Sequence, residues 1–146
     1  MQKLIPPYLF LLLLIVIGVT AQLCFIRDGA LALNPWGFVP FVGGLMLAVI
    51  AKKQFRKQKT TVETFDEPNA IVTDGLFRHS RNPMYLGLTI SLIGAAVISH
   101  CALAFFAPVA FFVVCQFWYI AHEEAVMRAG FGDAYRIYCA RTRRWI

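Results

Sequence analysis

Charge is scarce in this sequence. Of its 146 residues, 15% are Asp, Glu, Lys or Arg, where a soluble domain carries about 25%. The shortage is uneven, because residues 4–26, 29–51 and 82–122 contain no charged side chain. With 59% apolar residues and a mean hydropathy of +0.63, this excludes a soluble globular domain and intrinsic disorder. Cysteine is also sparse. Cys24, Cys101, Cys115 and Cys139 form no C-x-x-C pair and no metal-ligand spacing, which excludes a disulfide-stapled secreted module and leaves buried apolar thiols as the reading. No metal is expected. No G-x-G-x-x-G motif is present, and Gly43-Gly44 lies in the middle of an apolar run, so nothing marks a Rossmann nucleotide site. Internal repeats and low-complexity tracts are absent too.

What is there is a set of membrane-length runs. A bilayer core of about 30 Å takes about 20 apolar helical residues, so the first two runs make one crossing each. The third is about twice that length. Ser99 and His100 are its most polar neighbours and mark a tight hairpin between helices near 83–98 and 101–121. The expected fold is therefore all-α, with four transmembrane helices and a short C-terminal amphipathic helix. Residues 1–51 hold two crossings, 52–82 a cytoplasmic connection, 83–121 the hairpin and 122–146 a cytoplasmic tail. The net charge of +6 fits that topology rather than nucleic acid. Lys3, the seven cations from Lys52 to Arg81 and the five from Arg128 to Arg144 all fall on one side, leaving Arg27 on the other. By the positive-inside rule both termini are cytoplasmic. Trp36 and the Trp118-Tyr119 pair stand where interfacial aromatics are expected. Lys3, the following apolar run and Val19-Thr20-Ala21 also resemble a cleavable signal peptide, but the run is long for one.

Chemistry-bearing residues gather at the cytoplasmic ends. Thr73-Asp74-Gly75 signals a turn, and Asn82-Pro83 reads as N-cap then N1 of the third helix. With Arg78 and Arg81 just before it, this helix start is a plausible seat for a carboxylate or phosphate, or else ordinary capping beside topology-setting arginines. His122-Glu123-Glu124 follows the fourth helix, where two carboxylates at a membrane surface need positive partners. Glu124 has Arg128 at i+4. Glu123 points about 100° away and looks to a cationic ligand or to Arg78 and Arg81. Beyond it, Gly130 is placed to end the helix and Asp133 to cap a short one. Tyr135 and Tyr138 share a face of that helix, which either lies on headgroups or closes over the site.

Taken in order, Val72-Thr73-Asp74-Gly75-Leu76-Phe77, Arg81-Asn82-Pro83-Met84-Tyr85-Leu86-Gly87, Glu123-Glu124, Phe131-Gly132-Asp133-Ala134-Tyr135 and a late Arg-Trp resemble the integral-membrane methyltransferases. That family includes isoprenylcysteine carboxyl methyltransferases and phospholipid N-methyltransferases. The resemblance covers about residues 72–146; the first two helices match only in hydrophobicity. It implies S-adenosylmethionine bound by the C-terminal half without a Rossmann fold. Arg81, Asn82, Pro83 and Tyr85 would shape the cofactor pocket, Gly87 would let the cofactor approach the backbone, and Glu123 and Glu124 would hold its hydroxyl or ammonium groups. His79, Met84 and Tyr135 complete the cofactor-binding set, and Arg81 and Glu124 are the catalytic candidates. Asn82 stands where isoprenylcysteine enzymes tend to have His, which argues against a prenylcysteine acceptor and leaves the cofactor untouched.

The implied activity is methyl transfer to a lipophilic acceptor, a carboxylate or an amine headgroup, at the cytoplasmic face, with bacterial inner membrane as the expected location and membrane lipids as the surroundings. No residue is an obvious strong base, although His79 and His122 are candidates. Two alternatives are an NADPH-dependent membrane reductase of sterol-reductase-like design, whose cofactor phosphates would suit the arginines, and a non-enzymatic membrane interaction subunit.

Overall fold

The computed structural model describes residues 6–28, 33–57 and 71–146, all of whose regular structure is helical. Lys3, Lys59 and the N-terminal end used in the charge count lie outside the described residues. Five α-helices run in order: α1 Pro6–Asp28, α2 Phe38–Lys57, α3 Pro83–Ile98, α4 Phe106–Val114 and α5 Ile120–Arg141. Short 3₁₀ turns at Pro35–Gly37, Gly75–Arg78 and Ala102–Phe105 lead into α2, α3 and α4, and a π turn at Cys115–Tyr119 joins α4 to α5.

Among the described residues, three helical stretches are long and apolar enough to cross a membrane: Pro6–Arg27, Pro35–Lys57 and Ala102–Arg141. The fourth apolar helix, α3, has 16 residues. It ends at the expected turn, where Ser99 N–H donates back to Ala95 and His100 takes a positive φ of 50°. Large apolar side chains cover the outside, Val39, Phe106 and Phe117 each being at least 70% exposed. Exposure on that scale suits a hydrocarbon solvent and not water. Trp36 and Trp118 are exposed as expected, but Tyr119 is buried and stacks on Tyr85.

Glycine sets the packing of α2 against α3. A Cβ on Gly37 would fall 2.6 Å from the Gly94 carbonyl oxygen, and one on Gly87 would fall 2.6 Å from that of Gly44. The two helices are antiparallel, so Gly37 meets Gly94 and Gly44 meets Gly87 along one seam. Ser91 sits between these contacts and donates to the Phe41 carbonyl at 2.8 Å. Small residues and a short hydroxyl let backbones touch where the surrounding lipid gives helices no hydrophobic reason to associate. The close approach expected at Gly87 is present, and in the structure it is made by the α2 backbone.

Further expectations change. The last apolar helix does not end near residue 121 but continues past it to a break, beyond which a short helix reaches Arg141, as expected for the tail. Its break lies at Gly132 (φ 51°, ψ −121°), not Gly130, and only glycine adopts that backbone readily. Asp133 is not a cap with a measured bond but pairs with Arg136 at 3.3 Å, both exposed. Cys24 and Cys101, read as free thiols, form a disulfide, because the Ser99-His100 turn delivers Cys101 beside the end of α1. Cys115 and Cys139 are free, as expected.

Adjacent glycines on α2 test the seam. Gly44→Ala should lower thermal stability in detergent by about 1–3 kcal/mol, since its Cβ meets Gly87 and Ser91 backbone. Gly43→Ala, with nothing within 4 Å, should leave the melting temperature unchanged or slightly raised.

Candidate functional site

The segment before α3 is held from both sides. Gly75 has φ +60° and turns the chain under the side chain of Gln54, which accepts from the Leu76 N–H at 3.1 Å. Phe77 and Val72 bury against Ala51 of α2, with Phe55, Leu76 and Met84 packed around them. From α5, the Tyr138 hydroxyl donates to the Phe77 carbonyl at 2.7 Å. Arg81 and the start of α3 are thereby fixed between α2 and α5. Pro83 occupies N1 and is fully buried. Asn82 stands at the N-cap position, but its side chain makes no capping bond. Its amide donates instead to the Arg144 carbonyl at 3.0 Å, while Ser80 Oγ accepts the Asn82 N–H.

Glu124 is the centre of the site. It is only 4% exposed, and three arginines from three parts of the chain converge on it. Arg144 binds it in a fork, Nε to Oε1 at 3.0 Å and an NH2 to Oε2 at 2.6 Å. Arg81 reaches Oε1 at 3.2 Å and Arg128 reaches Oε2 at 2.9 Å. Each carboxylate oxygen therefore meets two guanidinium nitrogens, which fills the acceptor capacity of the group. Arg144 is held even more firmly in its charged form, chiefly by its hydrogen bond to Glu124. Arg81 Nε is buried and has no hydrogen-bond partner among the described residues. The three guanidinium charges exceed what one carboxylate neutralises, so the cluster presents a surplus of positive charge and an idle donor. An anion of carboxylate or phosphate type fits that surplus.

Glu123 faces a different neighbour. The Tyr85 hydroxyl donates to Glu123 Oε1 at 2.5 Å, while Arg81, one of the two arginines expected to face Glu123, pairs with Glu124. Arg78 is exposed, and its carbonyl lies 3.4 Å from Thr142 Oγ1. Thr142 opens a C-terminal strap that lies along the start of α3, where the Arg81 N–H donates to the Arg143 carbonyl at 3.0 Å. Beside it, Tyr135 is buried close enough to Glu124 and Arg81 to feel both charges. Tyr135 also lines a cavity of about 610 Å³ with Arg128, Gly132, Asp133, Arg136 and Cys139. The Gly132 break lies in its wall.

The structure thus gathers Arg81, Asn82, Tyr85, Glu123, Glu124 and Tyr135 at one end of the bundle. Pro83 lies beneath them, Met84 packs into the α2 cluster, Gly87 is committed to the helix seam, and His79 is exposed in the turn. Beside Arg81, any arginine of the tail was expected to hold a cofactor carboxylate or orient the acceptor, and the sequence does not single out Arg144. Its distance of 20 residues from Glu124 carries no periodic signal, and only the need of a buried carboxylate for cations could have pointed to it.

Apolar helices of crossing length mark an integral-membrane protein, and the ionic cluster sits at one end of its helix bundle. A family model described as phospholipid methyltransferase matches residues 33–134, and the chain belongs to this family. The match takes in α2, which resembled the family only in hydrophobicity, and stops before Tyr135. An uncharacterised protein of Haemophilus influenzae is 35% identical over 63 residues, which is 43% of this chain and all of the relative. No solved structure matches.

Removing one member of the cluster should separate buried from exposed pairing. Glu124→Gln leaves Arg81 and Arg144 without their counter-charge and should cost about 3–5 kcal/mol. Arg128→Ala, whose side chain is 64% exposed, should cost under about 1 kcal/mol. Thermal unfolding in detergent reads both.

Proposed function

We propose that this chain is an S-adenosylmethionine-dependent methyltransferase that acts on a lipophilic acceptor at the cytoplasmic face of a bacterial inner membrane. The observation that carries the reading is the buried Glu124 with its three arginines and the idle Arg81 Nε. This donor set suits the carboxylate end of an amino-acid-like cofactor, and the family supplies the reaction class. In this reading Glu124 does not touch the cofactor's cationic groups. It holds Arg81, Arg128 and Arg144 together for the cofactor's carboxylate, while Glu123, oriented by Tyr85, faces its ammonium or hydroxyl groups. S-adenosylmethionine, when bound, supplies a methyl group already activated on a sulfonium, so the protein's tasks are alignment and exclusion of water. Asn82 and the strap fix the Arg81 side of the site, and the buried Tyr85, Tyr119 and Tyr135 keep its floor dry.

A carboxylate acceptor needs no base, and an amine sheds its proton to solvent. The acceptor enters sideways from the bilayer, because the charged cluster ends a bundle whose flanks are apolar. Four crossings with both termini cytoplasmic accommodate this. Supporting that orientation are the cation bias and the Cys24–Cys101 disulfide, which lies at the other end of α3, about 22 Å from the arginines at 1.5 Å per residue. Disulfides belong to oxidising compartments.

Calorimetry with S-adenosylhomocysteine on detergent-purified protein tests the cofactor. The parent should bind, and folded Glu123→Gln should bind about tenfold more weakly, the loss of a charge-assisted hydrogen bond. No binding by the parent, with NADPH bound instead, would overturn the reading. Equal activity on an acceptor with and without a lipid tail would overturn sideways entry.

A further inference from the structure

Beyond α5 the strap does more than lie on α3. Its Trp145 ring stacks on Phe112 of α4 at 4.7 Å, and the indole N–H donates to Gln116 Oε1 at 2.8 Å. Gln116 lies in the π turn and carries the only amide side chain between residues 102 and 121. An amide in so apolar a helix is costly unless something answers it, and its answer comes from the residue next to Arg144. The strap is thus pinned twice. On the α3 side, Arg81 N–H and the Asn82 amide hold the carbonyls of Arg143 and Arg144. On the α4 side, Trp145 holds Gln116. Between the two pins the Arg144 side chain crosses to Glu124 and makes both of its bonds.

We propose that the Gln116–Trp145 contact is a latch that seats Arg144 on Glu124, which makes Trp145 a positioning residue for the anion the arginines hold. The proposal rests on the cofactor reading above. Arginine side chains have many rotamers to lose, and Arg144 keeps 30% of its side-chain surface exposed, so its fork on Glu124 depends on where the backbone places it. Two pins fix that placement; one lets the strap swing. Trp145 lies beyond the segment matched by the family model, so its role is argued from the contacts it makes here.

Three substitutions separate latch from mere packing. Trp145→Phe keeps a ring on Phe112 and removes the N–H. Gln116→Met removes the acceptor at similar volume, and Gln116→Glu restores an acceptor oxygen. Hydrogen exchange of the Arg81 amide, which donates to Arg143, reads the strap directly, and calorimetry with S-adenosylhomocysteine reads the site. Trp145→Phe and Gln116→Met should each speed Arg81 exchange and weaken binding about tenfold, as expected for misplacing one charged hydrogen-bond donor. The double variant should be no worse than either single one, and Gln116→Glu should behave as the parent. Parental exchange in Trp145→Phe, or additive losses in the double variant, would overturn the latch. Faster exchange with parental affinity would make Trp145 a structural anchor and overturn its positioning role. Where Gln116→Met does not fold, Trp145→Phe decides. A parent that does not bind at all overturns the cofactor reading and this role with it, and the exchange data then judge the strap alone.

Discussion

A carboxylate taken out of water needs its charge answered, and Glu124 obtains that answer from three directions. Arg128 comes from the next turn of its own helix, Arg81 from the entrance to α3 and Arg144 from the strap. These segments meet at the end of the bundle, where the ionic cluster adds to the packing of Trp145, Tyr85 and Ile120 in the core. The cluster also fixes the character of the site, since three guanidinium groups drawn to one carboxylate leave an excess of positive potential where they meet. Structural need and ligand preference thus have a single cause. Saturation of Glu124 by arginine is also what distinguishes it from Glu123, although the two are adjacent and chemically identical.

The packing of α2 along α3 follows a different rule. Lipid is as apolar as leucine, so helices in a bilayer gain little by hiding leucine from it. What draws α2 to α3 is close contact, with Gly37, Gly44, Gly87 and Gly94 removing side chains from the path and Ser91 adding a hydrogen bond to the Phe41 carbonyl. Rigidity in this pair matters to the site because α3 begins at Pro83, one residue after Asn82. Shifting α3 along α2 would carry Asn82 and Arg81 away from the strap.

Much of the fold was legible in the sequence because membrane physics writes it in simple terms. The charge-free runs gave the helices, and the bounds of α3 were read from Pro83 at one end and Ser99-His100 at the other. The Glu124–Arg128 pair followed from helical spacing. What could not be read was everything that depends on distant parts of the chain meeting. Gly87 announced a close approach but not what approaches. Two acidic neighbours announced a need for cations but not that Arg81 would choose Glu124 and Tyr85 would choose Glu123. The break at Gly132 and not Gly130 was unreadable for a local reason, since both glycines permit it and only the packing of Tyr135 and Tyr138 selects one. Cys24 and Cys101 lie 77 residues apart, and nothing in their spacing pairs them.

That pairing changes what kind of object the chain is. With Cys24 bonded to Cys101, the polypeptide is no longer a line but a closed ring with two tails, and α2 and α3 belong to the ring. A single cut between these two cysteines opens the ring without releasing a fragment, so a nicked molecule keeps α1, the glycine seam and the arginine cluster on one covalent body. A single cut separates them only when a reductant opens the disulfide as well. Damage to the connections between α1 and α3 is therefore survivable in a way that damage to the strap is not.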